Sequence, residues 1–532
     1  MNRKKFLSIL IFIVVAVVTA IVVFFIISFW KGGGNSGTNS GFSLFPNRNS
    51  GTTGEDPATT GKPSGDATGT NDGIPGSVSR LRKLADFPVV AITSYTRPEK
   101  VIVNRLQEPT PTPEGETPVA TEPVFTQEII DVNQLYARYI KQENGAIYTS
   151  KIGSTLTQKQ TTKDVIPYAG DGLFDGSGNN VLYRFYNETT NDIETFFGTI
   201  TEKVIPDAVC AKPFPGALTA DSDPLDITLL QEFLAYTLGV DTARDGKIGS
   251  GTRTAITTFQ GKEGLSKTGS ADDATIAVIN NRCLEIVEEK TKQKDPIELS
   301  GTFLTENITG MTLSPDKSKV FYIAKHVPET IGVVFNFQTR TFKQLLSSPF
   351  SEWTPSWHNT DMITMYTKPS GTFSGYLYTI ESETGTMHKI LDEKRGLLAL
   401  INPADTHAFI TESTGSGMTS SLLDMKTGEL EKAPFATLPE KCTWAKDSII
   451  LYCAVPEFVE RSLYPDDWYK GVISFTDSIW LINTTTGETR QIVDLSQEGG
   501  EGFDISTLAL DPNELYLLFI NKKTGEPWIL EI

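Results

Sequence analysis

The sequence is poor in the residues that carry most protein chemistry: 532 residues hold only four histidines and four cysteines. His326, His358, His388 and His407 fall in different segments and form no His-x-x-x-His or similar ligand pair. Each reads as a solvated or packing side chain. No cysteine pair has zinc spacing, so neither a metal nor a cofactor is expected. No Gly-x-Ser-x-Gly elbow occurs. The glycine-rich stretch 170–178 leads into a strand pattern, not the helix that a phosphate cradle requires. Asp241, Asp245, Gly246 and Ile248 fall at calcium-loop positions, but Ala243 and Thr252 stand where an oxygen ligand and a bidentate Glu are needed. Positive charge is also short. Lys and Arg number 47 against 65 Asp and Glu, a net charge of −18 spread along the chain. That argues against nucleic acid or anionic lipid as a partner.

Long apolar runs are absent but for one. Residues 6–30 carry no charge and follow Arg3-Lys4-Lys5. The run is long enough to span a bilayer with some tilt. The basic cluster, residues 1–5, should stay in the cytoplasm and leave the remaining chain outside. A cleaved signal peptide is the alternative, but the run is long for one and no small-x-small site closes it. The reading is a single-pass signal anchor in the cell membrane. Residues 31–78 are Gly, Ser, Thr, Asn, Asp and Pro with few apolar side chains, a linker that cannot bury a core. A second biased tract, 108–118, reads as a surface loop.

In an exported chain, four cysteines suggest two bridges. Cys210 and Cys283 bracket a helical segment, so a bridge would staple its two ends. Cys442 and Cys453 flank a hairpin with Asp447-Ser448 at its tip, which sets them opposite each other at about 5.5 Å between Cα atoms.

The bracketed segment has three helical stripes: Ile227, Leu230, Leu234 and Leu238; Ile256 and Phe259; Ile276 and Ile279. Gly246, Gly249 and Gly251 permit a tight turn, and Ser250 is placed to cap the second helix. The string Asp245-Gly-Lys-Ile-Gly249-Ser-Gly-Thr252…Phe259-Gln260 is followed by a weaker copy of the turn at Gly264–Gly269. This pattern resembles the three-helix peptidoglycan-binding domain appended to many cell-wall hydrolases. The third helix departs from that family, with Ala271-Asp272-Asp273-Ala274 at its start. The resemblance implies a peptidoglycan partner, and Arg253 and Gln260 are the candidate polar contacts, on the second helix outside its apolar face.

The remainder repeats itself. Asp175, Asp316, Asp361, Asp405, Asp447 and Asn513 mark turns that lead into apolar strands, and Thr-Gly tips recur at Gly385, Gly428, Gly487 and Gly525. Four short strands at a period of 40-odd residues predict a β-propeller of about seven blades, with six or eight as alternatives. Ser-Pro-Asp before an apolar strand resembles TolB-type and WD40-like propellers. The last blade lacks a fourth strand, which residues 80–90 would supply. The expected layout is mainly β: propeller at 79–206 and 286–532, the helical domain at 207–285 inset between two strands, and a charged return linker at 285–294.

Two readings follow. In the favoured one, an anchored bacterial envelope protein without enzymatic activity grips peptidoglycan through the inset domain and uses the propeller as a scaffold, where an envelope protein could dock. In the other, a glycan or peptide hydrolase has its active site on the propeller. Carboxylates abound there, but no spacing singles out an acid/base pair. Trp353, Trp357 and the aromatic loop 456–469 would either form a ligand rim or cap the ring.

Overall fold

A computed structural model describes residues 80–106, 125–163, 166–202, 205–292, 295–304, 307–496 and 502–532. Their strands form seven four-stranded antiparallel sheets, the blades of a propeller. The expected anchor 6–30, the linker 31–78 and the tract 108–118 lie outside the described residues. Among those residues no helix is long and apolar enough to cross a membrane.

The repeat has a local cause. Between the first and second strands of a blade, one side-chain oxygen collects backbone N–H groups that ladder pairing leaves free. Asp175 accepts from Asn180 N at 3.0 Å and Asn402 from Thr406 N at 2.9 Å. Asp447 accepts from Ile450 N at 3.0 Å and Asp511 from Tyr516 N at 2.6 Å. All six predicted turn positions fall at this place in successive blades. The strand that follows lies mid-sheet with a neighbouring blade on each face, so its apolar residues disappear from solvent: Val181, Val320, Ile363, Phe409, Leu451 and Leu517 are fully buried. Gly385, Gly428 and Gly487 take φ of 76°, 74° and 73° in third-to-fourth strand turns, a region a Cβ disfavours. Gly525 differs, because its turn joins the second and third strands of the last blade.

Leu81–Lys83 pairs antiparallel with Pro527–Glu531, Leu81 opposite Leu530, and supplies the last blade's fourth strand. The ring thus closes as the sequence predicts. Three helices leave blade 2 between its third strand, Asp192–Thr199, and its fourth, Ser300–Phe303. Two strands of blade 1, Val89–Leu106 and Phe125–Lys141, pair along their full length as one long hairpin. This hairpin braces the inset: Ile129 packs on its core and Lys100 Nζ lies 3.2 Å from the buried Glu232 carboxylate.

Cys442 and Cys453 are bridged and directly opposite, with Cα atoms 4.1 Å apart. The spacing is shorter than predicted for a reason visible in the ladder. Ala445 N–H bonds Ile450 O, so alternation makes the cysteines a non-hydrogen-bonded pair, the closer class.

Most of the aromatics proposed for a rim or cap point inward; Phe458, in the same loop, is exposed. Trp353, Trp357, Tyr464 and Trp468 are all buried. Trp468 Nε1 donates to Asp504 at 3.1 Å. Asp504 in turn lies 2.8 Å from Lys441 Nζ, which also meets Asp477 at 2.7 Å. Lys441, Asp477 and Asp504 are each 0% exposed, a one-cation, two-carboxylate cluster where blades 6 and 7 join. Burial, with Asp504 nearby, pushes Asp477 up to about 6 against the pull of Lys441. Burial also brings the neighbouring Lys522 down to about 8. His358 is likewise internal, between Asp405 at 3.0 Å and Thr364 at 2.8 Å, and so is a packing histidine.

Candidate functional site

The inset consists of α1 (Pro224–Leu238), α2 (Ser250–Lys262) and α3 (Asp273–Lys292). Asp223 caps α1 by accepting from Leu225 N at 2.9 Å, and Gly239 ends it at φ 66°. The three predicted stripes, Ile227 apart, meet in one core, where Phe233 and Phe259 stand edge to face at 5.4 Å. Cys210 and Cys283 are bridged, 5.3 Å between Cα atoms, tying the approach segment to α3.

Two expectations change. Ser250 does not cap α2; Gly249 holds the cap position without a side-chain bond, and Ser250 is the first helical residue. The predicted linker 285–294 is largely helix, because Ile286 packs on the module core. Lys290 and Lys292 in the last turn suit the helix dipole there.

Gln260 is the third correction. Expected as a surface contact, it is 0% exposed. Its Nε2 lies 2.9 Å from Thr268 Oγ1, 3.0 Å from Ser270 O and 2.9 Å from Thr275 Oγ1, while its Oε1 accepts from Gly269 N at 2.9 Å. It organises the turn between α2 and α3. Gln231 does the same one helix earlier. Its Nε2 meets Asp245 Oδ1 at 2.9 Å, Lys247 O at 3.0 Å and Thr252 Oγ1 at 3.0 Å, and its Oε1 accepts from Gly246 N at 3.2 Å. The turn glycines match too, with φ of 67° at Gly246 and 68° at Gly269. The module is thus one helix-and-turn unit used twice. Gln231 was not singled out from sequence, although Leu230-Gln231 before Asp245-Gly246 mirrors Phe259-Gln260 before Thr268-Gly269. Either Gln→Ala change strips partners from a buried turn, at about 1–3 kcal/mol. The two variants should lower the module's denaturation midpoint by similar amounts; a neutral Gln260→Ala would contradict the assignment.

Arg253 is exposed, as predicted. Arg253, Thr257 and Gly261 follow one another along one side of α2 and face the second turn. A Cβ at Gly269 would come 3.0 Å from Thr257 Oγ1, and one at Gly261 would come 2.6 Å from Lys267 Cε. These two glycines let the turn and the Lys267 stem lie close against the helix, leaving a shallow polar strip with a cation at each end. The other charged groups of the module are mostly satisfied: Arg244 pairs with Glu232, Arg282 with Glu263, Lys212 with Asp226 and Lys292 with Glu288. Among the described residues Arg253 and Lys267 form no ion pair, nor do Lys247, Lys262 and Lys290, of which Lys262 and Lys290 donate to backbone carbonyls. The strip therefore suits an acidic ligand. Among the described residues no group of His, Cys, Asp and Glu is placed to hold a metal.

Among solved structures, TolB from Acinetobacter baumannii is 12% identical, with 44% of this chain and 57% of that chain covered and a TM-score of 0.31. An oligogalacturonate lyase in complex with manganese is 9% identical, covering 75% of this chain and 86% of its own, with a TM-score of 0.37. The β-propeller domain of the Trilobed protease from Pyrococcus furiosus is 10% identical, covering 66% and 77%, with a TM-score of 0.34. The chain thus spans a little over half the length of the TolB structure. No curated protein matches it. Residues 224–279, all of α1 and α2 with the start of α3, match the family described as "Putative peptidoglycan binding domain", so the chain carries a domain of that family inside a seven-bladed propeller.

Proposed function

We propose that the protein is an envelope protein that holds peptidoglycan through its helical module while the propeller serves as a binding scaffold. The family match over 224–279 carries this reading. The uncharged run 6–30 behind Arg3-Lys4-Lys5 supports a single membrane anchor, with the linker 31–78 and the folded part outside the cell. Arg253 on α2 and Lys267 in the turn that follows would take carboxylates of the stem peptide, the Arg fork by paired hydrogen bonds and the Lys as a point charge. An envelope protein partner would dock on the propeller.

Purified sacculi test the reading. The full-length protein should sediment with them at neutral pH and moderate salt. Arg253→Ala should weaken retention by about 1.5–3 kcal/mol, the worth of a hydrogen bond to a charged group, and Lys267→Ala should add to the loss. Protein that stays in the supernatant would refute wall binding. Undiminished retention of the double variant would refute only the strip. A muropeptide digest separates the hydrolase alternative, since a non-enzymatic binder releases no soluble fragments.

A further inference from the structure

The face of blade 6 that looks toward blade 5 is only partly covered. Cross-strand pairing sets Val455 opposite Ser478, Trp480 opposite Gln491 and Ile482 opposite Thr489. Strand alternation then lays Val455, Ser478, Trp480, Thr489 and Gln491 on one face of the sheet. The inner part of that face, with Trp444, Leu451 and Cys453, is sealed by a core shared with Phe409 of blade 5. The outer part is not. The outermost strand of blade 5, Leu430–Lys432, is three residues long, and the chain then turns inward through Pro434 and Phe435. The uncovered region is a cleft of about 450 Å³, a size typical of small-ligand sites.

The lining has a consistent chemistry. Phe435 and Trp480 are half-buried rings whose inner edges pack on the core beneath, so they are held in place. Around them stand Glu457, Gln491, Thr489 and Asp494, and no lining residue is basic. An anionic ligand would find no counter-charge there. A flat polyol would find ring faces for its C–H groups, and carboxylate and amide oxygens to accept its hydroxyls. We propose that this cleft binds a hexopyranose unit of a glycan, as a site independent of the helical module. Cleft and module are separate sites: the cleft lies between the outer strands of blades 5 and 6, whereas the module leaves blade 2 between its third and fourth strands. One molecule could then engage two ligands at once.

Calorimetric titration of the full-length protein with chitotetraose and with cellotetraose tests the site. At least one should bind at millimolar concentration. Trp480→Ala should weaken that binding about tenfold or more. Because loss of this ring could loosen blade 6, the exposed Gln491→Ala serves as a second variant; it should weaken binding with an unchanged thermal midpoint. Arg253→Ala, in the module, should bind the soluble sugar like the parent. The proposal falls if neither oligosaccharide binds, or if both cleft variants bind as well as the parent. Sacculus retention governed by Arg253 would stand or fall separately.

Discussion

Lys441→Met should be among the most damaging single substitutions in the propeller, costing about 3–5 kcal/mol. The reason is an imbalance of buried charge. Lys441 Nζ sits between Asp477 at 2.7 Å and Asp504 at 2.8 Å, with all three side chains out of solvent. Removing the cation leaves two buried carboxylates that repel each other and are nowhere near bulk water. Lys522, already depressed toward 8, is the nearest replacement, but it is held over the Trp468 ring at 4.1 Å. The loss should depend on pH in a definite direction. In the variant both carboxyl pKa values rise above their unfolded values, so the native state binds more protons than the unfolded one. Stability is then retained at low pH and lost as pH rises through the raised values. The gap between variant and parent in denaturant midpoint should narrow from pH 8 to pH 5. Adding Asp477→Asn to Lys441→Met should recover part of the loss at pH 8, because Asp477 Oδ1 has no hydrogen-bond partner to lose. A gap that widens on acidification would show that the cluster is not held together by its cation.

Loss of the Cys210–Cys283 bridge should be nearly as severe, but confined to the module. The closed loop spans 73 residues in sequence, for which chain entropy gives about 4 kcal/mol. The Cys442–Cys453 bridge spans 11 and gives about 3 kcal/mol by the same argument, across strands that are paired in any case. Cys210→Ser with Cys283→Ser should therefore expose 207–292 to limited proteolysis and abolish retention on sacculi, while the propeller remains resistant. Equal protease resistance of parent and variant would mean that the brace from the blade 1 hairpin and the module core suffice alone.

The legible parts of this chain are those where one residue type is required by local geometry. In blades 2 to 7 an Asp or Asn oxygen holds N–H groups of the first turn, so Asp175, Asp316 and Asp447 mark blades in the sequence as clearly as in space. The opposed cysteines follow from hairpin register, and the closing strand from a missing fourth strand. Polar residues whose partners come from elsewhere are not legible. Gln260 reads as surface because glutamine is usually there, and only the second turn wrapped around its amide reveals it as core. Lys441, in Pro-Glu-Lys-Cys, looks solvated until Asp477 and Asp504 arrive from two later segments. Trp480 and Gln491 lie on adjacent strands, but the cleft beside them depends on how short a strand of the preceding blade is.

The pairing of Leu81 with Leu530 has a consequence for the order of events during synthesis. Roughly 450 residues separate the two partners, which at about 5–20 residues per second means roughly 20–90 s of waiting. Throughout that interval Leu81–Lys83 is made but has nowhere to go. A long apolar strand left idle would be a template for pairing with other chains. This one is three residues long and carries Arg82 and Lys83, so it offers few backbone groups and repels copies of itself. The segment that locks the ring is thus the one whose brevity and charge let it remain harmlessly single until its partner is made.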